Sequence, residues 1–138
     1  MDRHNRDVEI LKNIIKYCDW IQCAIERFGD SYKIFCADID YQNACAMSVL
    51  QIGEMATRLS DSLKAEYSDI PWREIVGMRN VFAHDYVRVD IKKVWETLRD
   101  DITPLRDRCL QIVLRFEPDY EPDDEILTDD EDEWEQEE

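Results

Sequence analysis

Residues 8–28 read VEILKNIIKYCDWIQCAIERF. Ile10, Leu11, Ile14, Ile15, Cys18, Ile21, Ile25 and Phe28 recur in steps of three and four. That is the spacing of one face of an α-helix, and the spacing predicts an amphipathic helix over about residues 3–28. Gly29-Asp30-Ser31 ends it. So long an apolar face must be covered by other elements, and their type decides the fold.

The next stretches are helical too. Residues 32–37 read as a short helical or irregular link, followed by a second long helix from about Ile39 to Glu66. Its apolar residues, including Cys45, Met47, Val49, Leu50, Ile52, Met55, Leu59 and Leu63, spread around more than one face. A helix apolar on several sides is buried on several sides, which suits the middle of a bundle or an interface with a second subunit. Glu54 sits within this stretch, and a carboxylate there needs a partner. A structural salt bridge with an arginine is the preferred reading, ahead of direct catalysis. Ser68-Asp69-Ile70-Pro71 reads as the start of a third helix that ends near His84 to Tyr86. Asp90 is placed to cap a last helix, with Ile91, Val94, Trp95, Leu98, Ile102, Leu105, Cys109, Ile112, Val113 and Phe116 on one face. Pro104 interrupts that run, and a kink or break is expected near Asp101 to Thr103. No segment alternates like a strand. The expected fold is all-α, an up-down bundle of four or five helices formed by residues 1–116.

The 138 residues suffice for one domain and one core. Formal net charge is -16, but 14 of the 33 acidic residues lie in residues 117–138, where there is no basic residue. The remaining 19 acids face all 17 bases, so the body is nearly neutral. The acidic segment 117–138 is expected to be a disordered tail, because it has little to bury. Its reading as a solubilising segment is preferred over a polyanion that competes for a basic groove. Five cysteines (Cys18, Cys23, Cys36, Cys45, Cys109) form no CxxC pair, which argues against a disulfide framework or a zinc site. They read as small, partly buried residues in a reducing cytoplasm. The charged N-terminus has no signal-peptide core, and no apolar run has the length of a membrane span. A soluble cytoplasmic protein without membrane attachment is expected.

The chemistry is concentrated in Arg79-Asn80-Val81-Phe82-Ala83-His84-Asp85-Tyr86. Histidine gives and takes protons near neutral pH. Arginine carries a permanent charge in a fork that matches phosphate oxygens. Asn80 and His84 are four apart and share a helix face, whereas Arg79 and His84 lie about 140° apart around the axis. Either the helix ends at His84 and Arg79 reaches around it, or two copies combine their motifs across a two-fold axis. His4 lies in a charged terminus and reads as solvated. Arg88, Lys92, Lys93, Arg99, Arg106 and Arg108 follow the motif, but several alternate with acids, so surface pairing is the preferred reading for most.

This segment resembles the Arg-x4-His-x-Tyr signature of the HEPN superfamily, and more narrowly of HepT-like toxins. Ile52-Gly53-Glu54, Ile70-Pro71-Trp72, Val89-Asp90 and Val94-Trp95 stand where that family places similar residues, so the likeness covers residues 5–116. The resemblance implies a homodimer with a composite cleft and a metal-independent endoribonuclease that needs no cofactor. Arg79 and His84 would be catalytic, and Asn80 would support them. It further implies a toxin neutralised by an MntA-like nucleotidyltransferase antitoxin, with Tyr86 as the residue that receives AMP. The alternative is a non-catalytic dimeric binding subunit that supports a partner nucleotidyltransferase.

Overall fold

The computed structural model describes residues 3–84 and 90–122. Among the described residues every regular element is a helix: α1 (Arg3–Phe28), α2 (Tyr32–Ala37), α3 (Ile39–Arg58), α4 (Asp61–Glu66), α5 (Trp72–His84), α6 (Ile91–Asp100) and α7 (Ile102–Phe116). Five of these have ten residues or more, and α2 and α4 are six-residue segments between them. The fold is the expected all-α bundle.

The apolar face of α1 is the spine of the core. Leu11, Ile14, Ile15, Cys18, Ile21 and Ile25 are all buried. It packs against α3 on one side and α7 on the other, while α5 covers a further side of α3. Asp7 near the start of α1 bonds Ser60 just past the end of α3, and the Tyr41 hydroxyl at the start of α3 donates to the Gly29 carbonyl at 3.1 Å. These two contacts make α1 and α3 antiparallel. Asp19–Arg106 and Lys12–Glu117 do the same for α1 and α7.

Gly29 has φ 120°, a left-handed conformation that an L side chain resists, and so it ends α1 sharply. The turn brings Phe28, Phe35, Tyr41 and Trp95 into one aromatic cluster that joins α1, α2, α3 and α6. Phe28 stacks on Tyr41 with ring centres 4.9 Å apart, Phe35 meets Tyr41 edge-on at 4.9 Å, and Trp95 lies 5.3 Å from Phe35. Burial pushes the Tyr41 hydroxyl up to about 12.

Two helix boundaries follow expectation. Asp90 caps α6, accepting a hydrogen bond from the Lys92 N–H at 3.1 Å. The last helix breaks at Asp101, which leaves Pro104 in the first turn of α7, where its missing N–H has no intrahelical partner to lose. One boundary differs. The helix expected to continue to Glu66 stops at Arg58, and α4 begins anew at Asp61. Ser60 causes the break. Its hydroxyl accepts from the Leu63 N–H at 3.2 Å and donates to Asp7 Oδ2 at 2.5 Å, and its own N–H donates to Asp7 Oδ1 at 2.9 Å.

Residues 117–122, assigned from sequence to the tail, return along α1. Glu117 pairs with Lys12 at 2.8 Å, and the Tyr120 ring lies under the same ammonium at 5.0 Å. The rest of the acidic segment, from residue 123, lies outside the described residues. Cys18, Cys45 and Cys109 are buried as expected, and Cys23 and Cys36 are exposed. Among the described residues no helix is long and apolar enough to cross a membrane.

Candidate active site

The motif rides on α5. This helix is anchored at its start by Trp72, whose buried indole N–H donates to the Tyr67 carbonyl at 3.2 Å. Pro71 supplies the carbonyl that receives the Ile75 N–H at 3.1 Å, and so closes the first turn. From there α5 runs along α3 to His84 and carries Arg79, Asn80 and His84 within its last two turns. Asn80 and His84 are one turn apart on this helix, as their spacing requires. The side chains of residues 80–84 and the whole of residues 85–89, Tyr86 among them, lie outside the described residues.

Arg79 is the motif residue whose surroundings are defined. Its root and its tip are both held by α3. At the root, a Cβ built on Gly53 would fall 2.8 Å from Arg79 Cβ and 3.4 Å from its Cα, closer than two side chains can pack. The absence of a side chain at Gly53 lets α5 approach α3 here. At the tip, Arg79 Nη1 donates to Glu54 Oε1 at 3.2 Å. Glu54 thus has the arginine partner anticipated for it, and that partner is the motif arginine. The Arg79 and Glu54 side chains remain 33% and 42% exposed. An ion pair so open contributes about 0–1 kcal/mol to stability.

Among the described basic residues named beyond the motif, the three arginines are engaged. Arg99 pairs with Asp30 at 2.9 Å, Arg106 with Asp19 at 2.9 Å, and Arg108 with Asp69 at 2.8 Å. Surface pairing, the reading preferred from the sequence, holds for these three. The Arg108 fork, donating from Nε and Nη2, also holds the Asp69 carboxyl below the usual carboxylate range. A separate cavity of about 400 Å³ opens beside α1, lined by Lys12, Lys16, Trp20, Tyr120 and Pro122 among others, and it includes no motif residue.

An all-α bundle of HEPN-like form, with an Arg-x4-His helix packed on a glycine-carboxylate pair, is the class that fold and site define. Comparison with known proteins gives the family. The model of the family described as "Ribonuclease HepT-like" matches residues 10–112. The chain is 32% identical over 104 residues to "Putative RNase TTE0752" of Caldanaerobacter subterraneus subsp. tengcongensis, covering 75% of this chain and 90% of that protein. It is 32% identical over 75 residues to "Probable ribonuclease HepT" of Thermococcus cleftensis, covering 54% of this chain and 68% of that protein. "Putative RNase MJ1216" of Methanocaldococcus jannaschii is 28% identical over 113 residues, covering 81% and 92%. No solved structure matches. The chain belongs to the HepT-like ribonuclease family, and its enzyme class is that of an RNase.

Proposed function

We propose that this protein is a metal-independent endoribonuclease in which Arg79 and His84 cut RNA through its own 2′-hydroxyl. One observation carries the reading. In a chain of ribonuclease family, the motif arginine is held by α3 with a third of its side chain open to solvent. Arg79 binds the scissile phosphate and offsets the charge that builds on its oxygens in the pentacoordinate transition state. His84 moves a proton, either from the attacking 2′-hydroxyl or to the departing 5′-oxygen. The 2′-oxygen forms a bond to phosphorus as the bond from phosphorus to the 5′-oxygen breaks. The products are a 2′,3′-cyclic phosphate and a free 5′-hydroxyl. Asn80 orients His84 or a phosphate oxygen. DNA lacks the nucleophile and resists.

Arg79 and His84 point about 140° apart on an ideal helix. We therefore assign the active form to a homodimer in which each cleft draws on two motifs. The biological role that suits this activity is that of a cytoplasmic toxin. Its antitoxin would be an MntA-like nucleotidyltransferase that places AMP on Tyr86, adding negative charge and bulk where an RNA phosphate must bind. The other reading is a binding subunit without catalysis.

Purified wild type, Arg79→Ala and His84→Ala are compared on end-labelled RNA and on the same strand with 2′-deoxyribose throughout. Cleavage of RNA alone, ending in cyclic phosphate and falling by about 10² to 10⁴ in His84→Ala, is the expected result. An inert wild type, or equal cleavage by all three proteins, overturns it in favour of the binding subunit. Intact mass after co-expression with the nucleotidyltransferase tests the modification, since AMP increments that persist in Tyr86→Phe place it elsewhere.

A further inference from the structure

Glu54 and Gly53 are adjacent on α3, and they meet opposite ends of the same side chain on α5. Gly53 leaves room for the Arg79 Cβ, and Glu54 takes one corner of its guanidinium. A long side chain rooted in a helix–helix contact and tethered at its tip has few rotamers left. Among the described residues, the ion pair of Arg79 is with Glu54 alone, and it is a single hydrogen bond through Nη1. Nε and Nη2 form no bond to that carboxylate. Guanidinium has five N–H donors in one plane, so a bond at one corner orients the others without consuming them.

We propose that Glu54 is a positioning residue for RNA cleavage. It holds Arg79 by Nη1 so that the remaining N–H groups are aligned in advance for the oxygens of the scissile phosphate. This rests on the reading of Arg79 as the phosphate-binding group. The carboxylate does not contact RNA. Its function is to remove the search that a free arginine would make at the moment the transition state forms. Its negative charge also lies beside the phosphate site, which weakens ground-state attraction slightly. The signature is therefore a fall in kcat without tighter substrate binding as the main effect. An inhibitory latch, in which Glu54 merely occupies Arg79, gives the opposite sign.

Two measurements on Glu54→Ala and Glu54→Gln decide the matter. In steady-state cleavage of labelled RNA, Glu54→Ala lowers kcat by about ten- to a hundredfold, the size of effect that misplacement of a reacting group produces, with little change in KM. Glu54→Gln, which keeps an oxygen to accept from Nη1, recovers most of that loss. An unchanged or raised kcat in Glu54→Ala overturns the proposal, and so does a loss that simply follows the melting temperature in both variants. The second measurement needs no activity. The guanidinium ¹⁵N resonances of Arg79, assigned by their disappearance in Arg79→Lys, report rotation about the Nε–Cζ bond. Restricted rotation is expected in wild type and Glu54→Gln, and free rotation in Glu54→Ala. Equal averaging in wild type and Glu54→Ala overturns the positioning role. A wild type that fails to cleave RNA while its guanidinium is held would instead refute the ribonuclease reading alone.

Discussion

Two carboxylates reach between helices near the end of α3, and they are used differently. Asp7 is 3% exposed, and both of its oxygens are taken, one by the N–H and one by the hydroxyl of Ser60. Glu54 is 42% exposed, and one of its oxygens holds one nitrogen of Arg79. Asp7 is a clasp with nothing left over. It stops α3, starts α4 and fixes the beginning of α1 against them. Glu54 is a clasp left half open, and the group it holds is the one to which we assign phosphate binding. The contrast separates stability from work. A carboxylate removed from water must have its hydrogen bonds made, because a lost partner leaves a buried group unpaired. A carboxylate at the surface adds little to stability, so geometry is what it has to offer.

The comparison can be broken by substitution. The largest effect on stability is expected from Asp7→Ala, which removes two hydrogen bonds to a buried carboxylate, leaves the Ser60 N–H without its acceptor and lowers unfolding free energy by about 2–3 kcal/mol. Chemical denaturation measures it. RNA cleavage per folded molecule should stay near wild type, and a specific loss of turnover would dissolve the division between the two clasps. Gly53→Ala comes next. The added methyl must push α5 from α3 at Arg79, with a cost of about 1–3 kcal/mol for overpacking. Here kcat should fall in molecules that remain folded. Full activity in Gly53→Ala would mean that the root of Arg79 can move without consequence.

The smallest effect concerns the exposed pair Arg108–Asp69, which joins α7 to the link before α5. The Arg108 hydrogen bonds hold the Asp69 carboxyl below its ordinary value in the folded chain. A group lowered in this way contributes stability above its unfolded pKa and loses it as pH falls through the folded value. The link is therefore intact at neutral pH and weakens in acid. Carboxyl NMR should show the Asp69 midpoint rising toward the ordinary value in Arg108→Gln, with hardly any change in melting temperature. An unmoved midpoint would show that Arg108 does not hold Asp69 in solution.

Much of the fold was legible in the chain because it depends on local signals. The period of Ile10 through Phe28 specifies α1, Gly29 stops it, Asp90 caps α6, and Pro104 can be accommodated only near a helix start. The pairing of Glu54 with an arginine was anticipated as well, from its place in an apolar stretch, but the structure leaves this carboxylate 42% exposed, so burial does not demand the partner. The end of α3 was not legible. Leu59 and Leu63 are four apart, as in an unbroken helix, and both are buried. What divides the run is Ser60 meeting Asp7, 53 residues away in sequence. Periodicity reports which residues face inward, but it says nothing about a polar group arriving from another helix.

By itself, then, the sequence determined an all-α bundle and an Arg-x4-His motif of ribonuclease family, because apolar period, turn residues and motif spacing are properties of neighbouring residues. Only the tertiary structure decided that Gly53 and Glu54 attend to Arg79. That pairing depends on how close α3 and α5 approach and at what register. Both are set by the packing of the whole core, with the partners 25 residues apart along the chain.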